Sequence, residues 1–239
     1  MKRLLKSNGA HRKLEGWPLL FTILTTLAIL VGGIVEYLPL ALVQSNVPRI
    51  SSVKPFTPLE VIGRDIYIAE GCNNCHSQMV RPFADELERY GEYSKPGETV
   101  YEHPFLWGSK RTGPDLARVG GKYPHLWHVR HMEDPRSTSP QSIMPPYPWL
   151  LRKQTNFEDL PSRLRALRRV GVPYTDEEIE NAESLAREQA AAIAADIVAQ
   201  AGPAGLEDKQ IVALIAYMQR LGTDIKPAVT ADAGGALQP

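Results

Sequence analysis

This chain of 239 residues contains two cysteines, and both stand in the run Gly71-Cys72-Asn73-Asn74-Cys75-His76. Two cysteines separated by two residues, with a histidine directly after the second, form the attachment pattern of a c-type haem. Each thiol can add to one porphyrin vinyl group, and the adjacent imidazole then reaches the iron. Without further cysteines a four-cysteine zinc or iron–sulfur site is excluded, and no thiol remains for a structural disulfide. A redox CxxC is expected beside a βαβ pattern, which the sequence lacks. The chain is therefore expected to fold around one covalently attached haem c, with Cys72 and Cys75 as its anchors and His76 as an axial iron ligand.

The charge balance is neutral overall, with Lys+Arg and Asp+Glu at 27 each, so no global field argues for nucleic acid. Locally it is uneven. Lys2, Arg3, Lys6, Arg12 and Lys13 crowd the amino terminus, and an apolar run follows from Trp17 to Val35. As a helix that run spans about 28 Å, close to the hydrocarbon thickness of a bilayer. It is longer than the apolar core of a secretion signal, and no small-x-small cleavage site follows it. Trp17 and Tyr37 sit at its ends like interfacial anchors. The expectation is a basic cytoplasmic tail over residues 1–15, a transmembrane anchor over 16–43 and a Pro-rich linker over 44–56. Everything beyond would lie on the far side of the membrane. Glu36, near the outer end of the span, would contact either a neighbouring membrane subunit or the headgroups.

The remainder reads as all-α. Thr57-Pro58-Leu59-Glu60 has the form of a helix start, with Thr57 as N-cap, Pro58 at the first helical position and Glu60 closing a capping box. This helix should run to about Glu70 and stop at Gly71. A second helix is expected from Leu206 to Leu221, with Ile211, Leu214, Ile215, Met218 and Leu221 on one face and Gly222 as its stop. Between them, Thr175-Asp176-Glu177-Glu178 opens a helix with a capping box. Its apolar stripe is Ile179, Ala182, Ala186, Ile193 and Ile197, and Gly202-Pro203 ends it. Residues 152–205 thus form a helical insertion within a haem domain spanning 57–222. The tail over 223–239, poor in bulky residues, is expected to be disordered.

The sixth iron position admits three chemistries: a methionine that raises the potential, a second histidine that lowers it, or an open site for gas or peroxide. Met79 lies three residues past His76 and cannot wrap around a porphyrin. Met218 sits on an apolar helix face, where a core role is the default, and Met132 lies in a segment that continues a helix. Met144, between Ser142-Ile143 and Pro145-Pro146, occupies a stiffened, extended loop suited to presenting sulfur to iron. A histidine is the alternative. His125, His128 and His131 recur at i+3 spacing, with a solvated or interface role expected ahead of a metal site. Arg81, Arg136 and Arg111 are candidates to pair with haem propionates, because a guanidinium matches a carboxylate bidentately.

The order of the first helix, the CxxCH run, Gly113-Pro114-Asp115-Leu116 and Leu214-Ile215-Ala216-Tyr217-Met218 resembles that of class I cytochromes c. The resemblance implies that the carbonyl of Pro114 accepts the Nδ1–H of His76. A narrower resemblance is carried by three strings: Gly71 to Phe83, Trp107-Gly108-Ser109-Lys110-Arg111-Thr112-Gly113-Pro114-Asp115-Leu116, and Ser142-Ile143-Met144-Pro145. These are similar to the mono-haem subunit of cbb3-type cytochrome c oxidases, over roughly residues 15–151 and again in the last helix. That family implies a chain tethered to the bacterial inner membrane with a periplasmic haem domain. It would relay electrons from a periplasmic donor cytochrome, or from a di-haem cytochrome c subunit, to the low-spin haem b of a catalytic haem–copper subunit. No oxygen chemistry would occur on this chain. The Gly-, Pro- and aromatic-rich stretch from Tyr90 to Lys122 would be the docking loop, with Ser109, Lys110 and Arg111 closest to the catalytic subunit. Two rivals remain: a free-standing anchored electron shuttle, and a haem enzyme or gas sensor with an open sixth position.

Overall fold

The computed structural model describes residues 9–43 and 48–225. Residues 1–8 of the expected basic tail, 44–47 of the linker and 226–239 of the expected disordered tail lie outside the described residues. The chain divides into two compact units, one up to Pro48 and one from Arg49.

The first unit holds α1 (Ala10–Glu15) and α2 (Pro18–Leu42). Pro18 starts α2, where its missing N–H costs nothing. The segment Pro18–Leu40 is long and apolar enough to cross a membrane, and none of it is buried within the protein. Leu19, Ile29, Val31 and Val35 are all more than 60% exposed. Water around so much contiguous apolar surface is unfavourable, whereas about 34 Å of helix matches the hydrocarbon of a bilayer. Over the described residues the protein is thus all-α, with one N-terminal helix long and apolar enough to anchor it in a membrane.

In the second unit, α3 (Pro58–Ala69) begins as the sequence predicts. Thr57 Oγ1 accepts the Glu60 N–H, and the Glu60 carboxylate accepts the Thr57 N–H at 2.8 Å. The chain leaves the helix through Gly71 at φ +74°, a left-handed conformation that favours glycine. The last helix, α10 (Gln210–Arg220), crosses α3 at close range. A Cβ on Gly63 would stand 2.8 Å from Tyr217 Cβ and closer still to the Ala213 carbonyl. Leu59, Ile62 and Tyr67 of α3 and Ile211, Leu214, Ile215 and Tyr217 of α10 are buried around this contact. Tyr67 and Phe56 pack on Tyr217 at ring separations of 5.4 and 5.5 Å.

Around the crossing lie α4 (Ala84–Tyr90), α5 (His125–Glu133), α6 (Pro135–Thr138), α7 (Leu160–Arg169), α8 (Asp176–Glu180) and α9 (Ala182–Ala199). Among the described residues there is no strand, although isolated bridges pair His76 with Arg111 and Gln154 with Lys209. The insertion is not one helix. The capping box at Thr175 forms, but the chain breaks at Asn181 before α9 continues. Ile179, Ala182, Ala186, Ile193 and Ile197 are all buried, so the apolar stripe survives the break.

Two boundaries differ from expectation. The last helix starts at Gln210 rather than Leu206, because the intervening backbone pairs elsewhere. Asp208 O accepts the Thr155 N–H at 2.8 Å, and the Gln210 N–H donates to Lys153 O at 3.0 Å. The domain also continues past Gly222. Asp224 accepts from Arg220 at 2.6 Å and from the Lys54 N–H at 3.0 Å, and Ile225 is buried.

Gly63→Ala is expected to destabilise this unit by about 3 kcal/mol, since backbone on both sides blocks relaxation. The urea midpoint of the detergent-purified chain checks this, and an unchanged midpoint would refute the close approach.

Candidate functional site

The CxxCH run forms a single 3₁₀ turn, Cys72–Asn74, directly after Gly71. The His76 N–H donates to Cys72 O at 2.9 Å, which folds the histidine back under the turn. Cys75 is exposed and Cys72 is half-buried against the core. Burial, with help from Glu70 and Cys75, pushes the Cys72 thiol up to about 12.

The segment 111–116 runs alongside the motif. The Gly113 N–H donates to Cys75 O at 3.0 Å, and the Leu116 N–H to Ser77 O at 2.9 Å. Their pairing puts Pro114 O 2.8 Å from His76 Nδ1. A carbonyl oxygen only accepts, so Nδ1 carries the proton and Nε2 keeps the lone pair that a metal needs. Gly113 lies flat against the imidazole, and a Cβ there would stand 2.7 Å from His76 Nδ1. A proton-defined histidine, two thiols beside it and a glycine cradle fit a c-type haem.

Met144 is half-buried against the core cluster. Its loop is closed by the Tyr147 N–H, which donates to Met132 O on α5 at 2.7 Å. Beyond the loop, Trp149 Nε1 donates to Glu70 Oε2 at 3.1 Å. The methionine loop is therefore fastened to the residue that precedes Gly71, on the segment that delivers His76.

The arginine candidates divide. Arg81 and Arg111 both direct their guanidinium groups onto the buried carboxylate of Glu86, so a propionate would have to share them. Burial pushes that carboxyl up, but the two guanidiniums outweigh it and hold it at about 2. Arg136 on α6 is exposed, and its side chain has no partner among the described residues. Ser109 and Lys110 are exposed. The Tyr90–Lys122 stretch is mostly irregular yet well tied, by Arg118 to Glu98 at 2.7 Å and by the Ser94 N–H to Val80 O at 2.9 Å.

The histidines of α5 are not alike. His125 Nδ1 lies 2.5 Å from Asp196 and His131 Nδ1 lies 2.6 Å from Thr138 Oγ1. Contrary to a solvated role, His128 is 1% exposed, and neither ring nitrogen has a partner. Trp127 and Tyr123 pack edge-on against it at 5.3 and 6.2 Å. Among the described residues no cluster of three or more His, Cys, Asp or Glu forms a metal site. Glu86 is the structural partner that sequence reasoning missed; its only signal is an acidic residue in the first turn of a short helix after Arg81.

A family model described as cytochrome c oxidase, mono-heme subunit/FixO, matches residues 11–225. The chain belongs to the FixO family. No curated protein matches it. As a FixO chain it is a mono-haem cytochrome c subunit of a cytochrome c oxidase, which implies a haem and other oxidase subunits around it. The cradle at His76 and Gly113 fits that implied haem.

Two outcomes are expected. Gly113→Ala, which drives a methyl into the His76 ring at a cost of about 2 kcal/mol, should lower the haem bound per chain, measured as pyridine haemochrome against immunoblot. Burial, aided by His125 and His131, lowers His128 to about 4. The unfolded chain therefore binds the extra proton first. The stability that neutral His128 contributes is complete above pH 6.5 and is lost as pH falls toward 4. Glu102, which burial pushes up to about 7, works in the opposite direction over the same window, so the His128 contribution is read as a difference. Between pH 7.5 and 5 the urea-derived stability of His128→Leu should rise relative to wild type by ~2 kcal/mol.

Proposed function

We propose that this FixO-family chain is the electron-relay subunit of a cbb3-type oxidase, anchored in the bacterial inner membrane with its haem domain in the periplasm. The reading is carried by the hydrogen bond between His76 Nδ1 and Pro114 O within a CxxCH turn. That bond prepares Nε2 to ligate iron. Haem c supplies, when bound, a one-electron couple that needs no substrate pocket.

Each remaining part of the role falls to residues of this chain. Cys72 and Cys75 fix the porphyrin covalently. His76 and Met144 would hold the haem iron when it is bound, and keeping both ligands in both oxidation states would limit reorganisation. Arg136, the arginine with an open fork, pairs with a propionate, and Arg81 does so only by sharing with Glu86. Ser109 and Lys110, exposed on a tied loop, face the catalytic haem–copper subunit, and Arg111, next to them in sequence, holds that loop to Glu86 from the inner side. Electrons would arrive from a periplasmic c-type cytochrome or from the complex's di-haem subunit, and leave toward low-spin haem b. The basic amino terminus supports a cytoplasmic tail by the positive-inside rule.

The test is a reduced-minus-oxidised spectrum of the tagged chain, purified from native membranes in mild detergent. Bands of c-type and b-type haem together with oxygen reduction are expected. A c-type haem alone at full yield, without oxygen reduction, would replace this reading with a free-standing shuttle. Met144→Ala should abolish the weak near-infrared charge-transfer band of ferric methionine ligation. If the band persists, another residue holds the sixth position.

A further inference from the structure

Glu86 is a buried carboxylate at the start of α4, and holding a haem gives it no task. Its two oxygens are fully used. Arg81 donates to it from its backbone N–H at 2.7 Å and from Nε at 2.6 Å, and Arg111 donates from Nε at 3.1 Å and from Nη2 at 2.8 and 2.7 Å. Arg111 then reaches onward. Its Nη2 donates to Met79 O at 3.0 Å, its Nη1 donates to Ser77 Oγ, and Nη1 lies 3.7 Å from Asp115 Oδ2. Asp115, itself buried, accepts from Ser77 Oγ at 2.6 Å and from the N–H groups of Met79 and Ala117 at 2.8 Å each. Its own N–H donates to the Tyr90 hydroxyl at 3.2 Å, at the other end of α4.

The members of this cluster are placed in a telling way along the chain. Ser77 directly follows His76, and Asp115 directly follows Pro114. The cluster therefore ties the segment carrying the donor of the His76–Pro114 bond to the segment carrying its acceptor, and α4 braces both. We infer that Glu86, Arg111, Asp115 and Ser77 are positioning residues, which set the length of the His76 Nδ1–H to Pro114 O bond and thereby the reduction potential of the haem. The inference rests on the reading that His76 ligates haem iron. A tight bond at Nδ1 gives the imidazole more anionic character and favours ferric iron. Slackening the bond raises the potential.

Charge and positioning make opposite forecasts for one variant. If the cluster acted only through its field, Glu86→Gln would raise the potential, Arg111→Met would lower it, and neutral Ser77→Ala would leave it alone. If the cluster positions His76, all three raise it. The experiment is a potentiometric titration of the c-type haem in the purified oxidase complex at fixed pH and salt, after haem per chain has been counted. An upward shift in all three variants is the expected result. A downward shift in Arg111→Met, or no shift in Ser77→Ala, overturns the inference. Should either charged variant fail to load haem, Ser77→Ala decides alone. A wild-type chain without c-type haem overturns the underlying reading; a loaded wild type with the field-only pattern overturns the positioning network and leaves that reading standing.

Discussion

The close approach of α3 and α10 at Gly63 is the constraint from which the haem motif hangs. The motif is fastened to that crossing at both ends. Its start is continuous with α3 through Gly71, and its end is held by Gln78, whose amide lies 3.0 Å from the Tyr217 hydroxyl of α10. The methionine loop is attached to the same place through Trp149 and Glu70. A residue larger than glycine at position 63 would part the helices and lengthen all three attachments together. Interiors packed at crystal density transmit such shifts rather than absorb them.

The ionic cluster around Glu86 solves a different problem. Withdrawing the Glu86 carboxylate from water is costly unless geometry and hydrogen bonds repay it. Here the lone pairs of Glu86 are taken up by six donor contacts from Arg81 and Arg111. An apolar replacement of equal volume could match the stability. It could not fix the distance between two backbone segments that share no regular secondary structure beyond a single bridge. The exposed pairs Arg187–Glu183 and Lys95–Glu92 have no such task, and water screens pairs of that kind so that they add little.

What could be read in the sequence was set by short range. The capping boxes at Thr57 and Thr175, the stop at Gly71 and the CxxCH turn are encoded within a few residues, and each forms as the local chemistry dictates. The family's motifs added Pro114, which local rules describe only as a turn. Misplaced features depend on partners far along the chain. The start of α10 yields to pairing with Lys153–Thr155, more than 50 residues away. Arg111 finds Glu86 across 25 residues, so neither an arginine count nor a spacing rule separates it from Arg136. His128 is buried because α5 turns that face inward, and i+3 spacing of histidines carries no information on which of them goes inside.

The stretch between Tyr90 and Lys122 shows how an irregular segment can be stiff. Loops of this length without secondary structure are ordinarily mobile or functional. This one is held by the Arg118–Glu98 pair, whose side chains are 13% and 8% exposed. Arg64 of α3 donates to Pro104 O, and Ser94 and Val80 exchange hydrogen bonds. From that frame Phe105 projects at 56% exposure beside Trp107, their rings 5.2 Å apart, with Lys110 exposed nearby in sequence. An aromatic and a cation presented on a backbone already fixed lose little freedom when a partner covers them. Were a partner subunit to dock there, its affinity would follow from pre-organisation more than from contact area.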